Sequence, residues 1–400
     1  MTGASIAPKA ITSDHEAVLA ARAFAASIAA DVIERDRTGA LPTAALAEFD
    51  ASGLLAITVP RAYGGTDVSM VTLAEVIRTV AAVDPAIAQV PQGHYLMVDV
   101  LEVWGTDEQQ RLIFGDVLAG GRLGNALSER GGRHAQDLRT RLRDGRRLDG
   151  RKYYCTGALT SRWIAVSALD DLDRVVLAFV ARDAPGVTLD EDWNTMGQRA
   201  TVSGSAAFAD VEVDPALVLP YHEAFAVPQQ LGARAQLVHA AIQVGIAGGA
   251  LRDAGEFVRT RARPFFEAQR GGWGSSAAED PHTVARYGRL ATRVRAAETL
   301  LADAAAIQQK IGRRPADAAL AARGSIAIAQ AKAFASEVAV EVASDLFGLT
   351  GASATDERHD LSRHWRNART HASHDPVDWK HHHVGNFLLN DAYPPNHGQL

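Results

Sequence analysis

A histidine-rich segment near the end of the chain concentrates side chains that can transfer protons. The stretch 363–380 reads RHWRNARTHASHDPVDWK and places His371 and His374 three residues apart. Because imidazole ionises near neutral pH, each of these side chains can give or take a proton during a reaction. A further histidine, His94, lies in the Gly-His-Tyr stretch 93–95, where a hydrogen-bonded core histidine is the ordinary interpretation. The segment around His371 and His374 is therefore the first candidate for an active site.

A metal site is the main alternative for these histidines, since imidazole is a common metal ligand. Three more histidines follow at 381–383, and the chain has one cysteine, Cys155, which excludes a thiolate-rich site. The spacing of the histidines matches no established metal-binding motif. We therefore predict no metal, and we interpret residues 381–383 as a solvated stretch.

The bulk composition is that of an ordinary globular protein and disfavours several classes of function. The chain has 400 residues, of which 47% are hydrophobic and 22% charged, and its formal net charge is -6. That charge disfavours a protein that binds nucleic acid through its phosphates. No stretch is apolar for long enough to span a membrane, and no targeting segment is evident. The single cysteine fits a reducing compartment, and we expect a cytoplasmic protein that does not bind membranes.

The helix and strand signals predict helices, then a β domain, then helices again. Capping signals and apolar residues spaced four apart indicate helices before about residue 120. Between 138 and 213, short apolar runs separated by Asp-Gly turns are typical of an antiparallel β domain. The stretch from about Thr370 reads as irregular. Long helices are predicted in three alanine-rich stretches, at 224–263, 281–311 and 316–346.

The predicted fold class is α+β and mostly α. It consists of an N-terminal helical domain, a central antiparallel β domain, a C-terminal four-helix bundle, and an active-site segment with a tail. The expected bounds of these four parts are 1–122, 123–220, 221–370 and 371–400.

Three motifs carry a resemblance to a known family. The stretch 193–204 reads WNTMGQRATVSG and resembles the W-x-x-x-G-x-R-x-T-x-S-G segment of acyl-CoA dehydrogenases. The stretch 152–158, KYYCTGA, resembles their flavin-contacting strand and turn, and 366–369, RNAR, resembles their R-D-A-R. The resemblance covers nearly the whole chain in the same order, so it implies the acyl-CoA dehydrogenase fold with a flavin between the β domain and the bundle.

The histidine-rich segment itself is similar to one branch of that fold, the dibenzothiophene monooxygenases and SfnB-like sulfur-acquisition oxidoreductases. In acyl-CoA dehydrogenases the equivalent region commonly reads Tyr-Glu-Gly-Thr, and its glutamate abstracts a substrate proton. Here the residues are His374, Asp375 and Pro376. The resemblance implies oxygen chemistry on a flavin C4a-peroxide, in which a histidine supplies or holds a proton.

The resemblance also implies the residues of the site. His94 and His374 would flank the face of the flavin that reacts with oxygen, and His371 would orient His374 or contact the flavin. Asn125 would be a polar group near the flavin. For Thr156-Gly157 a simple turn, and for Trp163 a core position, are the alternatives from the residues alone. The expected flavin-binding residues are Thr156, Gly157, Trp163, Arg199, Arg263 and Arg369.

The expected flavin is FMN, with FAD the less favoured alternative. Relatives that bind FAD hold its adenylate with a Gln-x-x-Gly-Gly segment, where this chain has Asp345 and Leu349 instead of the glutamine and the second glycine. A carboxylate repels a diphosphate, and a leucine side chain blocks close approach of the backbone. Arg263 matches an arginine that reaches the flavin phosphate across a subunit contact, and its guanidinium suits one terminal phosphate.

The leading hypothesis is an FMNH2-dependent, two-component monooxygenase acting on a small organosulfur compound with oxygen. No G-x-G-x-x-G fingerprint is present, so a separate NAD(P)H:flavin reductase would supply the reduced FMN. The assembly is expected to be a homo-oligomer, most simply a tetramer. One alternative is an FAD-dependent acyl-CoA dehydrogenase-type oxidoreductase with a relocated base. The other is a non-catalytic binding protein with the same fold.

Overall fold

The computed structural model describes residues 7–134 and 136–398. Its N-terminal region is helical, as predicted. Two of the helices begin with the capping signals read from the sequence: Ser13 accepts a hydrogen bond from the backbone of Glu16, and Thr106 and Gln109 form a reciprocal capping box. The helices are α1 (Asp14–Ser27), α2 (Val32–Thr38), α3 (Thr43–Ala51), α4 (Met70–Ala81), α5 (Pro85–Gln89), α6 (Gln92–Trp104) and α7 (Asp107–Leu118).

A β sheet follows the N-terminal helices. Its strands are β1 (Leu123–Ala126), β2 (Arg141–Arg143), β3 (Arg147–Lys152), β4 (Trp163–Leu169), β5 (Val175–Ala181), β6 (Val187–Asp190), β7 (Ser205–Glu212) and β8 (Val218–Leu219). The order across the sheet is β6-β7-β3-β2-β4-β5-β8, and β1 pairs with β4. Most pairs are antiparallel, but β1 and β2 each run parallel to β4. The sheet is therefore mixed, whereas the sequence predicted an antiparallel one.

Both faces of the sheet are buried, which explains the unbroken apolar runs of β4 and β5. Successive side chains of a strand point to opposite faces. Ala165 and Phe179 pack against α6 and α7, whereas Ile164 and Val180 pack on the other face with Phe208 of β7. The sheet is thus fixed against the N-terminal helices, so residues at the start of β1 and at the turn before β4 have defined positions relative to them.

The C-terminal region is a bundle of long helices. Its members are α8 (Leu231–Thr260), α9 (Phe266–Arg270), α10 (Pro281–Ile311), α11 (Ala318–Thr350), α12 (Ser362–Ala372) and α13 (Val377–Asn390). The three long helices agree with the three predicted stretches, and residues 271–276 lie in the loop between α9 and α10. The prediction of an irregular stretch from Thr370 is wrong, because α12 continues to Ala372 and α13 occupies most of the remainder. The periodic signal there is hidden by polar and histidine positions.

One apolar core runs through α1, α4, α8, α10 and α11, so the N-terminal helices and the bundle are packed as one unit. The observed architecture confirms the predicted fold class. The four domain bounds stay predictions, since the cores do not divide the chain at those residues.

Candidate functional site

Two bundle helices that are far apart in the sequence, α8 and α12, bring His239 and His371 together. His239 lies on α8 and His371 on the last turn of α12, and their Nδ1 and Nε2 atoms are 3.2 Å apart. Both side chains are buried, at 2% and 4% exposure. Burial lowers the pKa of both imidazoles well below the ordinary value, and the charges of Lys332 and His374 lower it further. The pair is therefore neutral at physiological pH.

His374 connects this buried pair to solvent. It lies in the turn after α12, and its ring stacks on that of His239 with centroids 4.2 Å apart and planes tilted by 34°. Its side chain keeps 45% of its surface exposed. The three imidazoles thus form a continuous cluster, His371–His239–His374, which we call the histidine cluster. The structure brings together the predicted His371 and His374, and it adds His239.

A buried ion triplet adjoins the histidine cluster. Asp375 pairs through Oδ1 with Lys332 of α11 and through Oδ2 with Lys380 of α13, both at 2.9 Å. Burial raises the pKa of Asp375, but the hydrogen bond from His374 and the two lysine charges outweigh it and leave the pKa well below its usual range. Asp375 is therefore a fixed carboxylate held between two cations, and it is poorly suited to remove a proton from a substrate.

Helix α5 lies between the histidine cluster and the β domain. The Oε1 atom of Gln89, its last residue, is 3.1 Å from Nε2 of His371. The next residue, Val90, directs its carbonyl oxygen at Gly157 of the β domain, where a Cβ atom would lie 3.3 Å away. This short segment therefore touches both parts of the predicted site.

On the β-domain side the structure brings together Asn125, Thr156 and Gly157. The backbone N–H of Asn125, in β1, donates to the carbonyl of Thr156 at 3.2 Å. The side-chain amide of Asn125 lies against α6, 2.6 Å from where a Cβ on Gly93 would be. Gly157 has a φ of +77°, in the left-handed region that glycine adopts without strain. These residues form a cradle facing Val90, and its shape requires glycine at 93 and 157.

A hydroxyl chain extends this cradle into the motif at 193–204. Thr156 and Ser203 are joined through their hydroxyl oxygens at 2.7 Å, and Ser203 donates to Thr201 at 2.9 Å. Val202, between them, has a φ of +41°, which is strained for a β-branched residue. The fold holds this loop in an unfavourable backbone conformation, as is common at binding sites.

The same motif docks on α12, which explains why the two family motifs occur together. A Cβ on Gly197 would lie 2.0 Å from the carbonyl oxygen of Arg366, so only glycine permits this approach. The backbone N–H of Gln198 donates to the side chain of Asn367. The side-chain amide of Gln198 is buried, and neither its nitrogen nor its oxygen has a hydrogen-bond partner.

Further polar atoms are buried without partners along the same region of α12. They are Nδ1 of His371, Oγ1 of Thr370, Oε1 of Gln243 and Nε of Arg199. Leaving a buried polar atom unpaired costs about 1–3 kcal/mol, so a group of them indicates a place where water or a polar ligand completes the bonding.

Of the predicted flavin-binding residues, Trp163 packs in the core, whereas Arg199 binds backbone carbonyls near the motif at 193–204. The indole N–H of Trp163 donates to Asp116 of α7 at 2.7 Å, and the ring packs between the sheet and the helices. This placement corresponds to the core position that was the alternative to a flavin contact for Trp163. Arg199 donates to the backbone carbonyls of Arg37 and Thr195 while its Nε stays buried and unpaired.

His94 is fully buried, and the backbone engages both of its ring nitrogens. Its Nε2 lies 2.8 Å from the carbonyl oxygen of Leu55, which only accepts, so Nε2 carries the hydrogen. Its Nδ1 accepts from the backbone N–H of Leu123 at 3.1 Å. Burial lowers the pKa of His94 to about 4. This geometry makes His94 an anchor for β1, which carries Asn125. The predicted role beside the reacting oxygen stays a prediction.

Arg263 and Arg369 lie apart from the cluster and the cradle. Both are exposed, Arg263 in the loop after α8 and Arg369 on the outer side of α12. Their positions are compatible with contacts to another subunit, and their flavin-binding roles stay predictions.

The residues behind the choice of FMN lie near the end of α11. Asp345 forms an ion pair with Arg289 of α10, which offsets part of the negative charge that the sequence argument relied on. Leu349 is buried in the bundle core. Because the Leu349 side chain packs inward and Asp345 is ion-paired, neither residue by itself excludes an adenylate.

Residues 7–134 and 136–398 were searched for a membrane-spanning helix and for a cluster of metal ligands. Within those ranges no helix is long and apolar enough to cross a membrane. Across the same residues, no group of three or more His, Cys, Asp or Glu side chains is arranged to hold a metal ion.

The sequence reasoning missed His239, Gln89, Lys332 and the pairing of Asp375. The one available signal was composition, because a histidine and a lysine within long alanine-rich helices must either face solvent or find buried partners. The partners lie in remote parts of the chain, so the pattern alone does not identify them.

The fold, the motif docking and the histidine cluster define a class of protein, and comparisons with known proteins agree with it. The family model for the acyl-CoA dehydrogenase N-terminal domain matches residues 12–121, and the model for the acyl-CoA dehydrogenase C-terminal domain matches residues 237–379. The chain belongs to the acyl-CoA dehydrogenase family.

Within the family it belongs to the branch of flavin-dependent monooxygenases. It is 34% identical to a dibenzothiophene monooxygenase of Rhodococcus erythropolis, over 96% of this chain and 95% of the relative. It is equally identical, at 34%, to a probable FMNH2-dependent monooxygenase, SfnC, of Pseudomonas putida, over 96% and 97% of the two chains. The FMN-bound structure of TdsC from Paenibacillus sp. A11-2 superimposes with a TM-score of 0.91 at 30% identity, covering 96% of this chain and all of that one. The predicted family, branch and enzyme class are confirmed.

Proposed function

We propose that this enzyme is an FMNH2-dependent, two-component monooxygenase that oxidises a small sulfur compound. The observation that carries the proposal is the neutral, buried histidine pair His239–His371, with His374 leading to solvent, in the region where dehydrogenases of the family have a catalytic glutamate. A neutral imidazole can accept or release a proton without the cost of a buried charge.

FMN fits the residues present between the β domain and α12. The cradle of Asn125, Thr156 and Gly157 offers hydroxyl and backbone groups for the polar edge of an isoalloxazine ring. The buried, unpartnered amide of Gln198 and Nδ1 of His371 offer further hydrogen bonds on the other side. The phosphate would be held by guanidinium groups, for which Arg263 of a neighbouring subunit is the candidate.

Bound between the β domain and α12, reduced FMN would supply the two electrons with which one atom of dioxygen enters the sulfur substrate and the other leaves as water. The side chains of this protein do the remaining work. His371 presents Nδ1 as a buried hydrogen-bonding atom that is shielded from bulk water. His374, partly exposed, exchanges protons with solvent beside it. Burial of the pair keeps water out, and so limits loss of the activated oxygen as hydrogen peroxide.

A sulfur compound is proposed as the substrate because of the relatives. One relative is named dibenzothiophene monooxygenase, and dibenzothiophene is a sulfur compound. Another relative is named FMNH2-dependent, which concerns the flavin. By the same reasoning a separate NAD(P)H:flavin reductase would deliver reduced FMN, and oxygen is the second substrate. A homotetramer in the cytoplasm is the proposed assembly and location, and the exposed Arg263 fits a phosphate site completed by a neighbouring subunit.

The acyl-CoA dehydrogenase alternative needs a carboxylate free to remove a proton. Asp375 is the carboxylate that adjoins the histidine cluster, and both its oxygens are ion-paired with lysines. Its lowered pKa makes it a weak base. The geometry therefore favours the monooxygenase over a dehydrogenase with tightly bound FAD. The third possibility, a non-catalytic binding protein, has no observation in its favour.

The test begins with flavin binding. FMN, FMNH2 and FAD are titrated by equilibrium dialysis, and FMNH2-loaded enzyme is then mixed with oxygen in a stopped-flow instrument, with dibenzothiophene or dimethyl sulfone as the sulfur probe. We expect FMNH2 to bind at least 10-fold more tightly than FAD, and a transient absorbance band to precede oxidised FMN. Tight FAD that is bleached by an acyl-CoA would overturn the proposal, and so would failure to bind any flavin at micromolar concentration.

A further inference from the structure

The ring of His371 has neighbours at one nitrogen only. Its Nε2 lies 3.1 Å from Oε1 of Gln89 and 3.2 Å from Nδ1 of His239. Its Nδ1 is buried and has no hydrogen-bond partner. Because the neutral ring carries one hydrogen, the partners at Nε2 decide what Nδ1 can do.

The orientation of the Gln89 side-chain amide decides which of two neutral tautomers His371 adopts. With Oε1 toward His371, as observed, the imidazole must place its hydrogen on Nε2, which donates to Gln89 and to Nδ1 of His239. Nδ1 of His371 then holds a lone pair and only accepts. With the amide turned by half a rotation, Nε2 of Gln89 would donate, and the hydrogen of His371 would move to Nδ1. A half rotation of the Gln89 amide would therefore convert Nδ1 of His371 from an acceptor to a donor.

We propose that Gln89 is a positioning residue that selects the tautomer of His371, with His239 as the second acceptor, so that Nδ1 of His371 faces the site as a proton acceptor. This inference rests on the proposed function, in which His371 handles a proton. Gln89 acts through His371.

The surroundings hold Gln89 in place and His371 neutral. Asp84 caps the start of α5: its carboxylate accepts hydrogen bonds from the backbone N–H groups of residues 86 and 87 and pairs with Arg35 at 2.9 Å. This double anchor fixes the direction in which the end of the helix points.

The titratable groups around His371 come from three elements. Burial lowers the pKa of His371 first, the charges of Lys332 and His374 lower it next, and Asp375 raises it. His239 is neutral for the same reason, since burial lowers its pKa too. Lys332 and Asp375 largely offset each other as an ion pair. The neutral form of His371 is thus the working form, and the remaining question is the tautomer.

The test compares Gln89→Glu, which accepts only, with Gln89→Leu, which neither accepts nor donates. The first readout needs no flavin. The imidazole carbon between the two ring nitrogens exchanges its hydrogen for deuterium from solvent, and mass spectrometry follows the rate of this exchange as a function of pH. We expect the midpoint for His371 to rise by at least one pH unit in Gln89→Glu and to stay low in Gln89→Leu. Gln109→Leu, a buried amide in the α7 capping box, is the control, and its His371 midpoint is expected to match the wild type.

The second readout is the pH profile of product formed per FMNH2, with dibenzothiophene as the probe. Gln89→Leu is expected to lose at least 10-fold at pH 7.5 without a change in unfolding temperature beyond that of the control. Gln89→Glu is expected to keep activity within about threefold at pH 8.5, with its acidic limb moved to higher pH. Equal losses in both variants, or a larger loss in Gln89→Glu, overturn the proposal, because the second result means that Gln89 donates. If the wild type forms no product, the proposed function fails. The tautomer is then decided by the ring nitrogen chemical shifts of His371, which differ between a protonated and an unprotonated nitrogen, whereas the exchange midpoints report whether residue 89 contacts the ring.

Discussion

Nζ of Lys332 lies 2.9 Å from Oδ1 of Asp375, and both side chains are almost completely buried. Lys332 belongs to α11, and Asp375 precedes α13, so this ion pair fixes the turn that carries His374 against the bundle. Removing one partner of a buried pair leaves the other charge with less compensation. Here Lys380 still pairs with Asp375, which moderates the loss.

Lys332→Met is expected to lower the free energy of unfolding by about 2–4 kcal/mol. It is also expected to raise the pKa of His371 and His239, because the charge of Lys332 lowers both. Urea unfolding at pH 7 measures the first effect. The double variant with Asp375→Asn should lose less than the sum of the two single variants, and strict additivity would show that the pair is not coupled.

His374→Ala is expected to reduce product per FMNH2 by roughly 100-fold and to raise hydrogen peroxide release, because proton transfer by a positioned group contributes about 10²–10⁴-fold. Peroxide and product are measured together under single turnover. His381→Ala is the matched control, since His381 is an exposed histidine that pairs with Glu337 on the surface. Unchanged product in His374→Ala would remove His374 from the mechanism.

Gly157→Ala tests the cradle. Gly157 and Gly131 share a φ of +77°, but an added Cβ at 157 would meet the Val90 carbonyl at 3.3 Å, whereas at 131 it would meet nothing within 4 Å. Both variants should lose about 1 kcal/mol of stability from backbone strain. Only Gly157→Ala is expected to weaken FMN binding, by at least 10-fold in equilibrium dialysis. Similar affinities for the two variants would place the flavin elsewhere.

Stability is expected to fall steeply in mild acid. The pKa of His94 is lowered by burial to about 4, whereas the unfolded chain has an ordinary histidine pKa near 6.5. A lowered pKa means that the unfolded state binds the proton first, so the contribution is present above about pH 6.5 and is lost as the pH falls towards 4. For His94 alone the loss is about 3 kcal/mol. His239, His364 and His371 act in the same direction.

Urea unfolding at pH 7.5, 5.5 and 4.5 measures this effect. His94→Gln, which keeps polar atoms near Leu55 and Leu123, should be less stable at pH 7.5 and show a shallower decline towards pH 4.5. An identical slope in the variant would contradict the assignment of His94 as a buried neutral residue.

Local and short-range features were determined by the sequence alone. The capping box at Thr106, the strands β4 and β5 and the three long helices follow from neighbouring residues, because caps and periodicity act over a few positions. The motif at 193–204 and the histidine-rich segment were sufficient to identify the family. The helix α13 was missed because its polar and histidine positions mask its periodicity.

Only the tertiary structure decided which histidines meet. His371 and His374 were evident as a pair in the sequence, but His239 contacts both from a position 132 residues before His371. Gln89 reaches the same ring from a different region of the chain, and the backbone occupies both nitrogens of His94. Hydrogen bonds and burial depend on packing between distant segments, and a single sequence contains no signal for that distance. Residue types therefore indicated proton chemistry, and the fold determined which nitrogen is available for it.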